Sequence, residues 1–106
     1  METLKGIGAS GGKVKARACI VLTHDQNSKM REGEVLVTKM TTPLFTPAIM
    51  KASALVTDVG GILSHAAIIA RELGIPCVVG TKDATKRLSD GDLIVVDGDE
   101  GIIQKP

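Results

Sequence analysis

The sequence predicts an α/β fold in a single layered domain covering residues 1–106, and three observations carry that prediction. The apolar run Ala54-Leu55-Val56-Thr57 leads through Asp58 and the pair Gly60-Gly61 into a helix-compatible stretch, His65 to Leu73. A second apolar run, Cys77-Val78-Val79, comes at once after it, so a strand, a turn, a helix and a strand succeed one another, the order that places helices over a sheet. Further short strand-like runs, Val14–Leu22, Val35–Thr38, Leu93–Asp97 and Gly101–Gln104, are separated by turn residues. At 106 residues and 43% hydrophobic content, the chain can bury one core and has no room for a second.

Near the start, Gly6-Ile7-Gly8-Ala9-Ser10-Gly11 spells G-x-G-x-x-G, yet the next stretch, Val14 to Leu22, reads as a strand rather than a helix. A dinucleotide site needs a strand before that pattern and a helix after it, so a flexible glycine loop is expected instead. In Val14–Ala18 apolar and basic residues alternate, giving a half-exposed strand with Lys15 and Arg17 on its solvated face. His24–Lys29 is polar and turn-rich, and His24 is expected to be an exposed loop residue without chemistry. Thr41-Thr42-Pro43 marks a helix start, with Thr42 able to cap and the helix running to about Lys51.

Ser64 stands just ahead of an uninterrupted helical run, where its hydroxyl can cap the first turn. Gly74 and Pro76 supply the stop, so the spacing predicts a helix over His65–Leu73 with Ala66, Ile69, Ala70 and Leu73 facing the core. His65 then lies in the first turn, at the carboxyl end of the preceding strand, where open α/β sheets usually locate their sites. A helix N-terminus favours a phosphate and disfavours a protonated imidazole, and the neutral imidazole is the nucleophilic form. Gly60 and Gly61, without side chains, would allow a phosphate or another domain to come close to the backbone. Asp83–Leu88 suggests one or two helical turns, and Gly98-Asp99-Glu100 a hairpin turn between the last strands.

Other chemistries find little support. The 13 basic and 12 acidic residues, net +1, are spread along the chain, so neither a nucleic-acid patch nor an anionic-membrane patch is indicated. Phe45 is the sole aromatic residue and offers no stacking platform for bases. No apolar run approaches the roughly 20 residues that span a bilayer, and no signal-peptide stretch is seen, so a soluble, cytoplasmic protein is expected. Cys19 and Cys77 suit free buried thiols, and with His24 and His65 they make no pair at metal-ligand spacing. Asp97, Asp99 and Glu100 lack the spacing of a calcium loop and read as turn chemistry.

The run from Thr57 to Thr81 resembles the signature of the PEP-utilising enzyme mobile domain, the swivelling phosphohistidine domain, through its glycine pair Gly60-Gly61, His65, Ala70-Arg71 and Gly74-Ile75-Pro76. That family includes PEP synthase, pyruvate phosphate dikinase, enzyme I of the sugar phosphotransferase system and rifampin phosphotransferase. The resemblance extends from about Lys5 to Ile103. It implies a three-layer β/β/α domain in which His65 accepts a phosphoryl group from an ATP-grasp or PEP site and passes it to an acceptor such as pyruvate. It also implies that Gly60 and Gly61 form the loop beneath the histidine, and that Ser64 caps the helix and bonds the phosphate. Arg71 lies six residues beyond His65, nearly two turns away, and is expected to take a structural or docking role in an ion pair with an acidic neighbour.

No cofactor is expected on this domain itself. Magnesium and ATP or PEP are implied at partner domains, an ATP-grasp nucleotide-binding domain and a PEP/pyruvate-binding or other acceptor domain, so the chain is not expected to complete a reaction alone. It is expected to be either one domain of a longer enzyme or a stand-alone carrier. Several dikinase relatives carry threonine two residues before the histidine, where this chain has Leu63, a feature shared with the Leu-Ser-His subset. Two readings stand beside the carrier: a non-catalytic docking or regulatory module on the same fold, and an α/β domain that binds phosphate at a helix N-terminus.

Overall fold

The computed structural model describes residues 2–106. In chain order the elements are β1 (Glu2–Lys5), β2 (Ile7–Ser10), β3 (Lys13–Ile20), β4 (Val35–Thr38), α1 (Thr46–Ile49), β5 (Ala54–Thr57), α2 (His65–Leu73), β6 (Cys77–Val79), α3 (Ala84–Arg87), β7 (Leu93–Asp97) and β8 (Ile102–Lys105). Single 3-10 segments occupy His24–Lys29 and Pro43–Phe45. The strands lie in the order β1-β8-β7-β3-β4-β5-β6-β2.

β3 belongs to both halves of that order. Its first part, Lys13 to Arg17, pairs antiparallel with β7, and its last part, Ala18 to Ile20, pairs parallel with β4. β4, β5 and β6 continue in parallel, and β2 closes that edge antiparallel to β6. Strand side chains alternate between faces, and here both faces of the parallel strands are covered. Val35, Val37, Ala54, Val56 and Val78 meet Leu4, Ile94, Val96 and Ile103 of the antiparallel strands in one core. Leu36, Leu55, Cys77 and Val79 point the other way, into a second core with Phe45, Ile49 and the alanines of α2. Two sheet layers and one helical layer result, the β/β/α arrangement that the sequence led us to expect.

The flexible glycine loop is corrected: Ile7–Ser10 is a strand, with Ile7 opposite Val79 and Gly8 opposite Val78. Its glycines serve packing. A Cβ on Gly8 would collide with the Gly98 carbonyl oxygen, and one on Gly98 with the Ser10 carbonyl oxygen, so β2 crosses the β7–β8 hairpin backbone to backbone. Local propensity argues against a strand there, and tertiary pairing overrides it. The helix expected from Pro43 to Lys51 begins as foreseen, with Thr42 Oγ1 accepting from Leu44 N–H at 3.2 Å, but it splits into the 3-10 turn and α1. Pro47 has no N–H, so the carbonyl of Pro43 is bonded by Thr46 instead, through its amide and its hydroxyl. The hairpin turn is as expected: the Asp97 carboxylate accepts from Asp99 and Glu100 N–H at 3.1 and 3.0 Å.

Candidate functional site

The site is built where the parallel strands end. β4 and β5 run in register up to Thr38 opposite Thr57, and the pairing continues beyond both strands through Asp58 N–H to the Thr38 carbonyl and Val59 N–H to the Lys39 carbonyl. The segment after β4 is thereby laid alongside the glycine turn after β5. Thr41 and His65, 24 positions apart in the chain, come together, with Thr41 Oγ1 at 2.8 Å from His65 Nδ1.

α2 starts as the sequence predicts. Ser64 has extended backbone angles, its hydroxyl stands 3.5 Å from the Ala67 amide, and the Ile68 N–H to Ser64 carbonyl bond opens the helix. The Ser64 hydroxyl donates to the Gly61 carbonyl at 2.7 Å, and the Ser64 amide bonds the same oxygen, so the glycine turn and the helix start form one closed unit. Gly60 has φ of +120°, and a Cβ there would sit 3.0 Å from Ser64 Oγ. Only glycine suits that position. At Gly61, by contrast, an added Cβ meets nothing within 4 Å, so the fold itself requires glycine at Gly60 and not at Gly61. The far end of α2 closes with Gly74 at φ 71°, Gly74 N–H bonding the Arg71 carbonyl and Ile75 N–H the Ala70 carbonyl, the paired bonds of a Schellman ending.

The buried face of α2 consists of Ala66, Ala67 and Ala70, with Ile69 packed at its edge; Leu73 is more exposed than its spacing suggested. Small residues let the helix lie close on β6, where Cys77 Sγ reaches the Ala66 carbonyl. Burial pushes the Cys77 thiol up to about 12, with the nearby Arg71 charge acting in the opposite direction.

Arg71 departs from expectation. Its guanidinium donates to two backbone carbonyls, Ala9 at 2.9 Å and Ile62 at 2.7 Å, and not to a carboxylate. Five donors in a planar fork suit such a bridge, which ties the turn before His65 to β2. Asp58, which is buried, accepts from the Thr85 amide at 2.9 Å and the Thr85 hydroxyl at 2.6 Å, pinning the start of α3 under the turn.

His65 is half-buried at the first position of α2. Among the described residues, no hydrogen bond reaches its Nε2 and no cluster of three His, Cys, Asp or Glu side chains is placed to hold a metal ion. An imidazole held at Nδ1 by a hydroxyl and open at Nε2 can act as a nucleophile through Nε2 when the Nδ1 proton is donated to the threonine oxygen. Thr41 is the residue that sequence reasoning missed. It was visible only as part of a helix start, although a polar residue just past the end of a parallel strand was a signal worth weighing.

Comparison with known proteins bears on this geometry. Residues 30–101 match the family described as PEP-utilising enzyme, mobile domain. A probable phosphoenolpyruvate synthase of Pyrococcus horikoshii is 53% identical over 102 residues, which cover 96% of this chain and 12% of that protein. A rifampicin phosphotransferase of Bacillus cereus is 43% identical over 103 residues, 97% of this chain and again 12% of the relative. The chain thus spans about an eighth of the length of these curated relatives. The solution structure of an Enzyme I protein superposes with a TM-score of 0.64 at 41% identity, over 74% of this chain and 33% of that one.

Proposed function

The chain belongs to the PEP-utilising enzyme mobile-domain family, and from that premise we propose that it carries a phosphoryl group on His65 between two catalytic sites in other domains. The observation that carries the reading is the 2.8 Å contact between Thr41 Oγ1 and His65 Nδ1; in this reading Nδ1 is the held nitrogen and Nε2 attacks. In the transfer, the Nε2 lone pair forms the new bond to phosphorus while the bond to the donor oxygen breaks, and the electron pair leaves with that oxygen. Phosphorylation at Nε2 makes Nδ1–H more acidic. A hydroxyl beside it can accept a hydrogen bond from Nδ1–H before transfer and, once that proton has passed to bulk water, donate to the bare nitrogen, so Thr41 serves both states of the ring. The amides at the start of α2 add partial positive charge near a phosphate on His65.

Gly60 and Gly61 provide the turn beneath the histidine, and Ser64, whose proton is engaged by the Gly61 carbonyl, shapes that turn more than it binds phosphate. Arg71 is a positioning residue that holds the turn through the Ile62 carbonyl. In this reading the donor is ATP bound at an ATP-grasp domain, or PEP, and magnesium is held with it there. Pyruvate is the first acceptor to test, because the relative named as a phosphoenolpyruvate synthase is more similar than the rifampicin phosphotransferase. No helix of the described residues is long and apolar enough to cross a membrane, and we place the reaction in the cytoplasm, where these metabolites are found.

The test uses the full protein that carries this sequence, with its catalytic domains, magnesium and either ATP or PEP. Acid-labile, alkali-stable phosphate is monitored by intact mass and peptide mapping, beside His65→Ala. One phosphate on His65, absent from the variant, is expected. Turnover of pyruvate by His65→Ala at the normal rate would overturn the carrier reading and leave a docking module on this fold.

A further inference from the structure

Asp58 opens the turn between β5 and α2, and its side chain is not used in the transfer chemistry of His65. It is buried, and both carboxylate oxygens are taken up by one residue 27 positions on: the Thr85 amide donates at 2.9 Å and the Thr85 hydroxyl at 2.6 Å. Thr85 lies in α3, whose Ala84 packs in the core between the two sheets, whereas the alanines of α2 pack on the opposite face of the parallel strands. The carboxylate therefore ties the two faces together across the end of the sheet. Capping alone does not call for it. Asp83 stands at the N-cap of α3 and is a residue type suited to that role, yet it makes no side-chain cap bond there. The chain between also bends to reach the turn. Thr81 donates its amide and its hydroxyl to the Thr57 carbonyl, and the Lys82 amide donates to the Asp58 carbonyl. Lys82 has φ of +79°, the one non-glycine residue with positive φ among the described residues, a conformation that residues with side chains disfavour. Gly80 comes so close that a Cβ there would lie 3.1 Å from the Gly60 carbonyl oxygen.

Resting on the carrier reading, we propose that Asp58 is a positioning residue for phosphoryl transfer: clasped by Thr85, its carboxylate holds the backbone that leads into α2 at the height where His65 meets Thr41. Two sets of bonds fix that backbone. On one side the Asp58 and Val59 amides donate to the Thr38 and Lys39 carbonyls, in the segment that continues to Thr41. On the other side Thr81, Lys82 and Thr85 brace it, through the backbone of Thr57 and Asp58 and through the Asp58 carboxylate. Beyond Gly60, the Gly61 carbonyl accepts from both the amide and the hydroxyl of Ser64. A shift of the turn thus moves the start of α2 with it, and His65 follows Ser64 directly. The 2.8 Å contact between Thr41 Oγ1 and His65 Nδ1 leaves little room for such a shift. A carboxylate bonded through both oxygens resists displacement more than one neutral hydrogen bond would. It bonds Thr85 and not the imidazole, so its effect passes through the Thr41 to His65 contact.

The test is a double-mutant cycle in the full protein, reading single-turnover phosphorylation of His65 with isotopically labelled ATP and, separately, labelled PEP. Rates are compared at a temperature where the melting curves show every variant folded. Asp58→Asn, close in shape, is expected to lower the labelling rate about 5- to 10-fold with the donor KM unchanged, the scale of losing the Thr41 to His65 bond. In a Thr41→Val background, where that bond is already gone, the same substitution should lower the rate by less than about twofold, because residues that act through one contact are not additive. Thr85→Val should reproduce the loss, and Thr85→Ser, which keeps the hydroxyl, should recover most of it. If Asp58→Asn does not fold, Thr85→Val takes its place in the cycle. An equal loss in both backgrounds overturns the proposal, by showing that Asp58 supports the fold alone. Labelling of Asp58→Asn and Thr85→Val at the wild-type rate overturns it as well. Both results leave His65 as the carrier. If neither donor labels His65 in the wild type, the carrier reading fails and the positioning role falls with it.

Discussion

Replacing Thr41 with valine removes one hydroxyl from the site and keeps nearly the same shape. Thr41 is 5% exposed, so water does not readily take the place of its hydroxyl, and the contact with His65 Nδ1 is 2.8 Å. A neutral hydrogen bond of this kind is worth about 1 to 1.5 kcal/mol net, which corresponds to roughly a 5- to 13-fold change in rate if the bond is needed in the transition state. The fall should be larger if the ring also swings off line, because positioning dominates phosphoryl transfer. The assay is single-turnover labelling of His65 in the full protein, with the melting point measured beside it. Thr41→Ser, which restores the hydroxyl, is expected to recover most of the rate. Labelling of Thr41→Val as fast as wild type, in a protein that melts normally, would refute the orienting role of Thr41.

Gly60→Ala should destabilise the fold by about 1 to 2 kcal/mol, since its backbone lies at φ +120°. Gly61→Ala should be close to neutral in the same denaturant titration; equal losses at the two positions would contradict the assigned geometry. With its thiol pushed up to about 12, Cys77 should present only about one thiolate in ten thousand at pH 8. It should resist a disulfide reagent in the native protein and react in denaturant, and rapid native modification at Cys77 would show that α2 opens. The Asp90 carboxylate is held below its usual range chiefly by the Ile20 amide at 2.6 Å, and that of Asp92 by the Ser89 amide at 2.8 Å. A lowered folded pKa adds stability that is complete above the unfolded value and lost as pH falls through the folded one, so melting should decline below about pH 4. Asp90→Asn should make that decline shallower; an unchanged acid slope would count against the assignment.

Local features could be read directly from the residues. The cap at Ser64, the helix His65–Leu73 and its Gly74 ending, the Thr42-Pro43 start and the Asp97 hairpin turn each arise from contacts within a few positions, where residue type and spacing carry the information. The three-layer fold was legible through resemblance, and the alternation in β4, β5 and β6 explains it physically, since both faces are apolar and must be covered. Tertiary structure decided the rest. Ile7–Ser10 became a strand because β6 offered an open edge and glycines let the hairpin approach. Arg71 turned to carbonyls because Ala9 and Ile62 lie within reach only once β2 is in place. Thr41 met His65 because two parallel strands fixed in register carry the segments after them to the same end of the sheet. Contacts across 62 or 24 positions leave no periodic trace in a single sequence, so the helix that presents the nucleophile is written locally, and the hydroxyl that orients it is supplied by the fold.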